Sequence, residues 1–341
     1  MTKGRFPKGV TAAVQYGRGV RARAAYLVNY QLLPYRRAGE VLTDFFRCPI
    51  SAGSLRRIIT ECAGKAILTE VEIKRRLKQA EVIHVDETGL RVEGTGRFVH
   101  VASTAGLTHY ACDSRRGKAA MDEIGILPAF RGTSVHDGRP AYEYYRRCRH
   151  SLCGAHLLRE LTYIEESSPH QRGQWAAPLA GLLLEIKAAV EQARSEGAAR
   201  LDGGEEEKFR RRYEKVVRRG LELNPERTRR RGGGERRRGG RGRVAQTAAR
   251  KLVARLERCE PEVLRFMTDF RVPFDNNQAE RDLRMVKLRQ KIGGCFRSAA
   301  GAGEFCRIRG VLSTARKQGQ GVLSAIERLL TGQVITQGKR I

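Results

Sequence analysis

Nowhere do the 341 residues approach the roughly 18 to 20 uninterrupted apolar positions that a bilayer-spanning helix needs. The N-terminus also lacks the apolar core of a signal peptide. These two absences argue against a membrane protein and place the chain in the cytoplasm. The eight cysteines (48, 62, 112, 148, 153, 259, 295 and 306) are scattered through a long chain without a secretory signal, so they read as buried reduced thiols and not as a disulfide framework. No internal repeat is visible. Acid is scarce: 37 Asp and Glu stand against 66 Lys and Arg, a formal charge of +29. With a pI near 10.5, that imbalance calls for a polyanionic partner, nucleic acid by default. A hydrophobic content of 40% still suffices for a full core, and the length suits two domains or one large interrupted domain.

Residues 1–78 read as a helical N-terminal region. Within it, Arg36 to Phe46, a break at Cys48-Pro49-Ile50, and Ser51 as N-cap before Leu55, Ile58 and Ile59 describe two short helices joined by a tight turn. That shape fits a helix-turn-helix or an ordinary helical hairpin equally well, and Arg56 and Arg57 on the second helix would suit phosphates. Val82-Ile83-His84-Val85 reads as a buried strand ending on Asp86. Strands over Arg97 to Thr104 and Thr108 to Asp113 follow, then a helix over Gly117 to Ile124. A fourth strand, Thr133 to His136, again ends on an acid and a glycine, Asp137-Gly138, and a fifth is expected near Arg149 to Cys153. Three antiparallel strands, a helix and another strand is the order of a ribonuclease-H-like core, here over residues 79–160. In that fold the first and fourth strands are neighbours, so Asp86 and Asp137 are expected close together.

A helical insertion is expected over 161–271, clearest at Leu179 to Ala193 and Leu252 to Phe270. Its loop 227–243, RTRRRGGGERRRGGRGR, is too rich in charge and glycine to bury apolar surface. Residues 272–341 return to the core. Pro273 ends the preceding segment, and Asp275 followed by Gln278 signals a helix start running to about Ile292. On that helix Glu280, Arg284, Lys287 and Lys291 form one row, flanked by Ala279, Leu283 and Val286 on one side and Met285, Leu288 and Ile292 on the other. Packing on both flanks would leave the charged row facing a cleft. Two more helices, Glu304 to Lys317 and Val322 to Leu330, close the chain.

Two Asp and one Glu at element ends suit hard divalent ions better than any Cys/His set. Cys148, His150, Cys153 and His156 lie too close in sequence for the usual zinc finger, and Cys153 and His156 are expected to support the acidic cluster structurally. Two Mg²⁺ ions, for which Mn²⁺ can substitute, activate the attacking oxygen and steady the leaving one in an in-line displacement at phosphorus. On this reading Asp86 bridges both ions, Asp137 holds one and Glu280 the other. Arg284, Lys287, Lys291 and Arg297 continue along the DNA strand.

The segments HVDETGLRV, SVHDGRPAY, CRHSLCGAHLLREL and above all VPFDNNQAERDLRMVKLRQKIGGCFRS resemble the DDE transposases of the insertion sequence 66 family, from about Phe6 to Leu330. The resemblance implies a ribonuclease-H-like catalytic domain, with Asp86, Asp137 and Glu280 as the catalytic and metal-binding acids and Cys153 and His156 as the C-x-x-H pair after the second acid. It also implies Mg²⁺ dependence, DNA ends and target DNA as partners, a homo-oligomer on DNA, accessory proteins of the same element, and a bacterial, nucleoid-associated location. Family members usually begin with a further region carrying a cysteine zinc-finger motif, whereas this chain starts where that region would end, which would impair end recognition or multimerisation. Gly293-Gly294 stands where Ser-Gly is common, and Arg139 where an aromatic is common. The competing expectation is a catalytically idle DNA-binding remnant or regulator of the same element.

Overall fold

The computed structural model describes residues 15–227 and 244–335, so nearly all of the arginine and glycine tract at 227–243 lies outside the described residues. In chain order the elements are α1 (Arg18–Ala25), a π-helical turn (Tyr26–Tyr30), α2 (Tyr35–Phe46), α3 (Ala52–Lys65), α4 (Ile67–Lys78), β1 (Val82–Val92), β2 (Thr95–Ser103), β3 (Thr108–Asp113) and α5 (Lys118–Ile124). Then come β4 (Thr133–His136), β5 (Arg149–Leu152), α6 (Gly154–Ser167), α7 (Ala176–Ser195), α8 (Gly203–Leu223), α9 (Ala248–Arg258), α10 (Glu260–Val263) and α11 (Arg265–Thr268). Helices α12 (Asn277–Gly293), α13 (Ala299–Lys317) and α14 (Val322–Leu330) complete the chain. The fold is mixed α/β with a mixed five-stranded sheet, as the ribonuclease-H-like reading requires. The chain divides into two compact units, Met1–Gly132 with Asn277–Ile341, and Thr133–Asn276.

In the first unit β1, β2 and β3 form an antiparallel meander, in register from His84 opposite Ser103 to Val92 opposite Thr95, and from Phe98 opposite Asp113 to Ser103 opposite Thr108. The first strand is longer than its sequence suggested: it does not stop at Asp86 but continues to Val92. Thr88, Leu90 and Val92 extend the period-two pattern, and Glu93 and Gly94, both at positive φ (51° and 76°), close a two-residue hairpin of the kind that matches strand twist. Leu90, Val92, Val99, Val101 and Tyr110 of the meander form one core with Ala279, Leu283 and Val286 of α12 and Ala302, Phe305 and Cys306 of α13.

Helix α13 lies tightly against β3, where a Cβ at Gly310 would come within 3.1 Å of the Thr108 carbonyl, and Thr314 Oγ1 accepts the Thr108 N–H at 2.9 Å. From the same helix the buried Arg309 donates to the carbonyls of Asn29 and Tyr30 (3.3 and 3.2 Å) and lies over the Tyr30 ring, capping the π-helical turn. Ser51 caps α3 through the Ser54 N–H, as its position after the break predicted.

In the second unit β4 and β5 are parallel, Thr133 to His136 opposite Arg149 to Leu152. Helices α6, α7, α8 and α9 supply most of its core, with Trp175 fully buried and its indole N–H donating to Gln171 Oε1 at 3.0 Å. Gln171 and Asn224 exchange amide hydrogen bonds (3.1 and 2.9 Å), which satisfies both buried side chains. The helical stretch read over Leu252 to Phe270 is broken into α9, α10 and α11. Pro261 opens α10 and has no N–H to continue the ladder of α9.

Candidate active site

Asp86 lies inside β1, not at its end. Side chains alternate along a strand, and the register with β2 is unbroken, so Asp86 shares a sheet face with Leu90 and Val92. Those two residues pack against α12. Glu280 stands on the first turn of α12, next to the buried Ala279. Within the first unit, then, one acid is on the sheet face that a helix covers and another is at the start of that helix. Asp86 Oδ1 also accepts the N–H of Glu87 at 2.7 Å. Glu87 points to the opposite face, where it is buried and paired with Arg116 at 3.1 Å.

The charged row of α12 is arranged as its spacing predicted. Arg284, Lys287 and Lys291 are all exposed, as is Arg297 beyond the helix. Lys287 donates to the Gly89 carbonyl at 3.2 Å, which leans the row against β1. The expectation of packing on both flanks is corrected. Ala279, Leu283 and Val286 are buried and Met285 is half-buried against the same core, whereas Leu288 and Ile292 remain 40% and 36% exposed, because the far side of the helix turns away from the sheet.

A residue that sequence reasoning passed over fixes this helix: buried Asp282 accepts from Lys317 of α13 at 2.7 Å and from Gln278 at 3.1 Å, and its carbonyl accepts the Tyr110 hydroxyl at 2.9 Å. Burial lowers the pKa of Lys317 while Asp282 works against that shift. The signal was present as an acid two positions past Glu280, off the charged row and between the apolar residues Ala279 and Leu283. Of the two arginines expected to hold phosphate on α3, Arg57 is exposed, while Arg56 is engaged by Glu304 of α13, Nη2 to Oε1 at 3.2 Å.

In the second unit Asp137 follows β4 directly, with its side chain 12% exposed. Arg139 spans it, Nε to Oδ2 at 2.7 Å and backbone N–H to Oδ1 at 3.2 Å. The turn below it is held by His136, whose Nδ1 accepts the Gly138 N–H at 3.0 Å. That bond leaves the His136 proton on Nε2, facing His150 Nδ1 at 3.0 Å, and His150 Nε2 in turn donates to the Tyr145 carbonyl at 3.2 Å. Burial, then the neighbouring His150, pushes His136 down to about 3, so the ring is neutral. Cys153 leads into α6, and its Sγ accepts the N–H of the buried Asn276 at 3.2 Å. Gly154 donates to the Phe274 carbonyl at 2.7 Å and lies against the Phe274 ring so closely that a Cβ would come within 2.3 Å of it. The C-x-x-H segment thus anchors residues 274–276, immediately before α12 begins.

The eight cysteines are free thiols. Among the described residues no helix is long and apolar enough to cross a membrane. No curated protein matches the chain. A family model described as Transposase IS66 family matches residues 13–304. With that match covering most of the sequence, the chain belongs to the IS66 family of transposases.

Proposed function

We propose that this transposase is a DDE enzyme that cleaves phosphodiester bonds at the ends of a DNA element and joins the freed 3′ hydroxyl to target DNA, with Asp86, Asp137 and Glu280 as its acids. The observation that carries the reading is in the first unit: Asp86 lies on the sheet face covered by α12, and Glu280 heads the row of exposed cations on that helix. A carboxylate followed by Arg284, Lys287 and Lys291 is what a phosphate backbone entering a metal site needs.

The donor set fits magnesium. Three carboxylates are hard oxygen ligands, and Mg²⁺ is usually held by few carboxylates together with substrate phosphates. Asp86, Asp137 and Glu280 would hold it, and two bound ions would lower the pKa of the attacking hydroxyl and offset charge on the leaving oxygen. Arg284, Lys287, Lys291 and Arg297 hold the strand by its phosphates, and Arg57 offers a further contact from α3. Asp282 and Lys317 keep α12 from rotating, which fixes the direction in which Glu280 points. His136 holds the turn that presents Asp137, and Arg139 orients its carboxylate through both oxygens. We assign the enzyme to a homo-oligomer on DNA within the bacterial cytoplasm.

The test is nicking and joining of cognate-end DNA with Mg²⁺ or Mn²⁺. We expect activity in the wild-type chain and its loss, by at least a thousandfold, in each of Asp86→Asn, Asp137→Asn and Glu280→Gln. Activity persisting in all three variants would rule the assignment out. Salt-sensitive binding without cleavage on correct ends would instead identify a catalytically idle remnant or regulator.

A further inference from the structure

The second unit carries two adjacent cavities of about 430 and 730 Å³ that share Arg149 and Arg265 in their walls. Five arginines line each cavity and two are common to both, which makes eight, against three carboxylates: Glu143, Glu262 and Asp269. Two of these acids are already used. Glu143 pairs with Arg258 at 3.0 Å and Asp269 with Arg271 at 2.8 Å. Arg146, Arg149 and Arg200 are exposed, and among the described residues they have no carboxylate within ion-pair reach. They come from three places in the chain: the turn before β5, β5 itself, and the connection between α7 and α8.

Arginine is the most frequent residue in both walls, and Leu152 and Phe270 are the large apolar side chains among them. Guanidinium groups match phosphate oxygens in a planar, two-pronged way and are weakly hydrated enough to give up water on contact. A single inorganic anion would meet only one of the two cavities. A linear polyanion can meet arginines of both.

We propose that these arginine-lined cavities, whose wall includes His136 and Gly138 on either side of Asp137, bind the sugar-phosphate backbone of duplex DNA. The proposal rests on reading the chain as a DNA-acting enzyme, and it names arginines of the second unit that hold the substrate by its backbone. Because these arginines meet phosphates, they contribute affinity without sequence preference.

The experiment uses the full chain carrying Asp86→Asn, so that the DNA stays intact, and a fluorescent duplex of arbitrary sequence read by anisotropy over a salt series. In the triple variant Arg146→Gln, Arg149→Gln, Arg200→Gln we expect affinity at low salt to fall at least tenfold. The slope of log K against log salt should be shallower by about 0.9 for each phosphate that the variant no longer neutralises. The matching triple lysine variant should recover most of the slope, and an unchanged thermal melt excludes misfolding as the cause. Affinity and slope equal to the parent's would overturn the proposal. Cleavage at cognate ends by the chain with Asp86 intact reports on the proposed enzyme separately. If cleavage is present while the arginine variants bind normally, only the role of these arginines fails. If cleavage is absent while the slope still falls, only the chemistry fails.

Discussion

His136 shows how much can depend on a residue that a linear reading has no reason to single out. A lone histidine in an apolar strand is usually a core residue, and this one is buried. Yet it stacks on Tyr142 with ring centroids 4.5 Å apart and accepts the Gly138 N–H directly beside Asp137. Replacing it with Phe keeps the stacking surface and removes the acceptor. That leaves a half-buried N–H without its acceptor, at a cost of about 1 kcal/mol, and deprives His150 of its donor. We expect a lower melting temperature and, on cognate-end DNA, weaker cleavage. His136→Asn, which restores an oxygen acceptor, should recover part of both. Gly154 is similar in kind. Its place in C-x-x-H suggested only spacing, whereas the Phe274 ring fills the space a side chain would take. Gly154→Ala should cost about 1–3 kcal/mol through overpacking, read from denaturant midpoints.

Among the elements, α12 was legible in its beginning, its charged row and one apolar flank, since all three follow from a 3.6-residue period. Its second flank was not, because periodicity says which residues share a side and not whether anything covers that side. Leu288 and Ile292 are the positions where that difference appears. The Asp282–Lys317 pair is the device that sets the helix against α13, with both side chains largely buried (8% and 14% exposed). Lys317→Met strands a buried carboxylate and should destabilise the chain by about 3–5 kcal/mol. Asp282→Leu with Lys317→Met, by removing both charges, should recover a large share of that loss in the same thermal or urea titration. A double variant no more stable than the single one would show that the pair is not what holds the two helices in place. For β1 the shortfall was one of length. Asp86 followed by Glu87 looked like the end of a buried strand, and only pairing with β2 shows that the alternation carries through to the hairpin.

Across the molecule, charge and pH enter together. Burial works to raise the Glu70 carboxyl, but hydrogen bonds from His109 and Arg307 overcome it and hold it down at about 2. An unfolded glutamate titrates near 4.3, so on acidification the unfolded chain takes up this proton first. The stability Glu70 supplies is therefore complete above about pH 4.3 and is lost as the pH falls toward 2. Burial also lowers the pKa of His109, which lies 3.3 Å from Glu70, and that adds to acid sensitivity below the ordinary histidine range. Glu70→Gln should cost about 1.5–3 kcal/mol at neutral pH and flatten the acid limb of a stability profile measured by chemical denaturation. An acid limb as steep as the parent's would place the sensitivity elsewhere. The net charge of +29, the order of elements along the chain, the amphipathic face of α12 and the three acids were all fixed by the sequence, because composition and periodicity are properties of neighbours in the chain. The sheet face that Asp86 occupies, the burial of Asp282, the hydrogen bond that His136 makes below Asp137 and the gathering of eight arginines around two adjacent cavities were decided only by tertiary structure. Each depends on residues tens to hundreds of positions apart, and on which side of an element the rest of the fold leaves in contact with water.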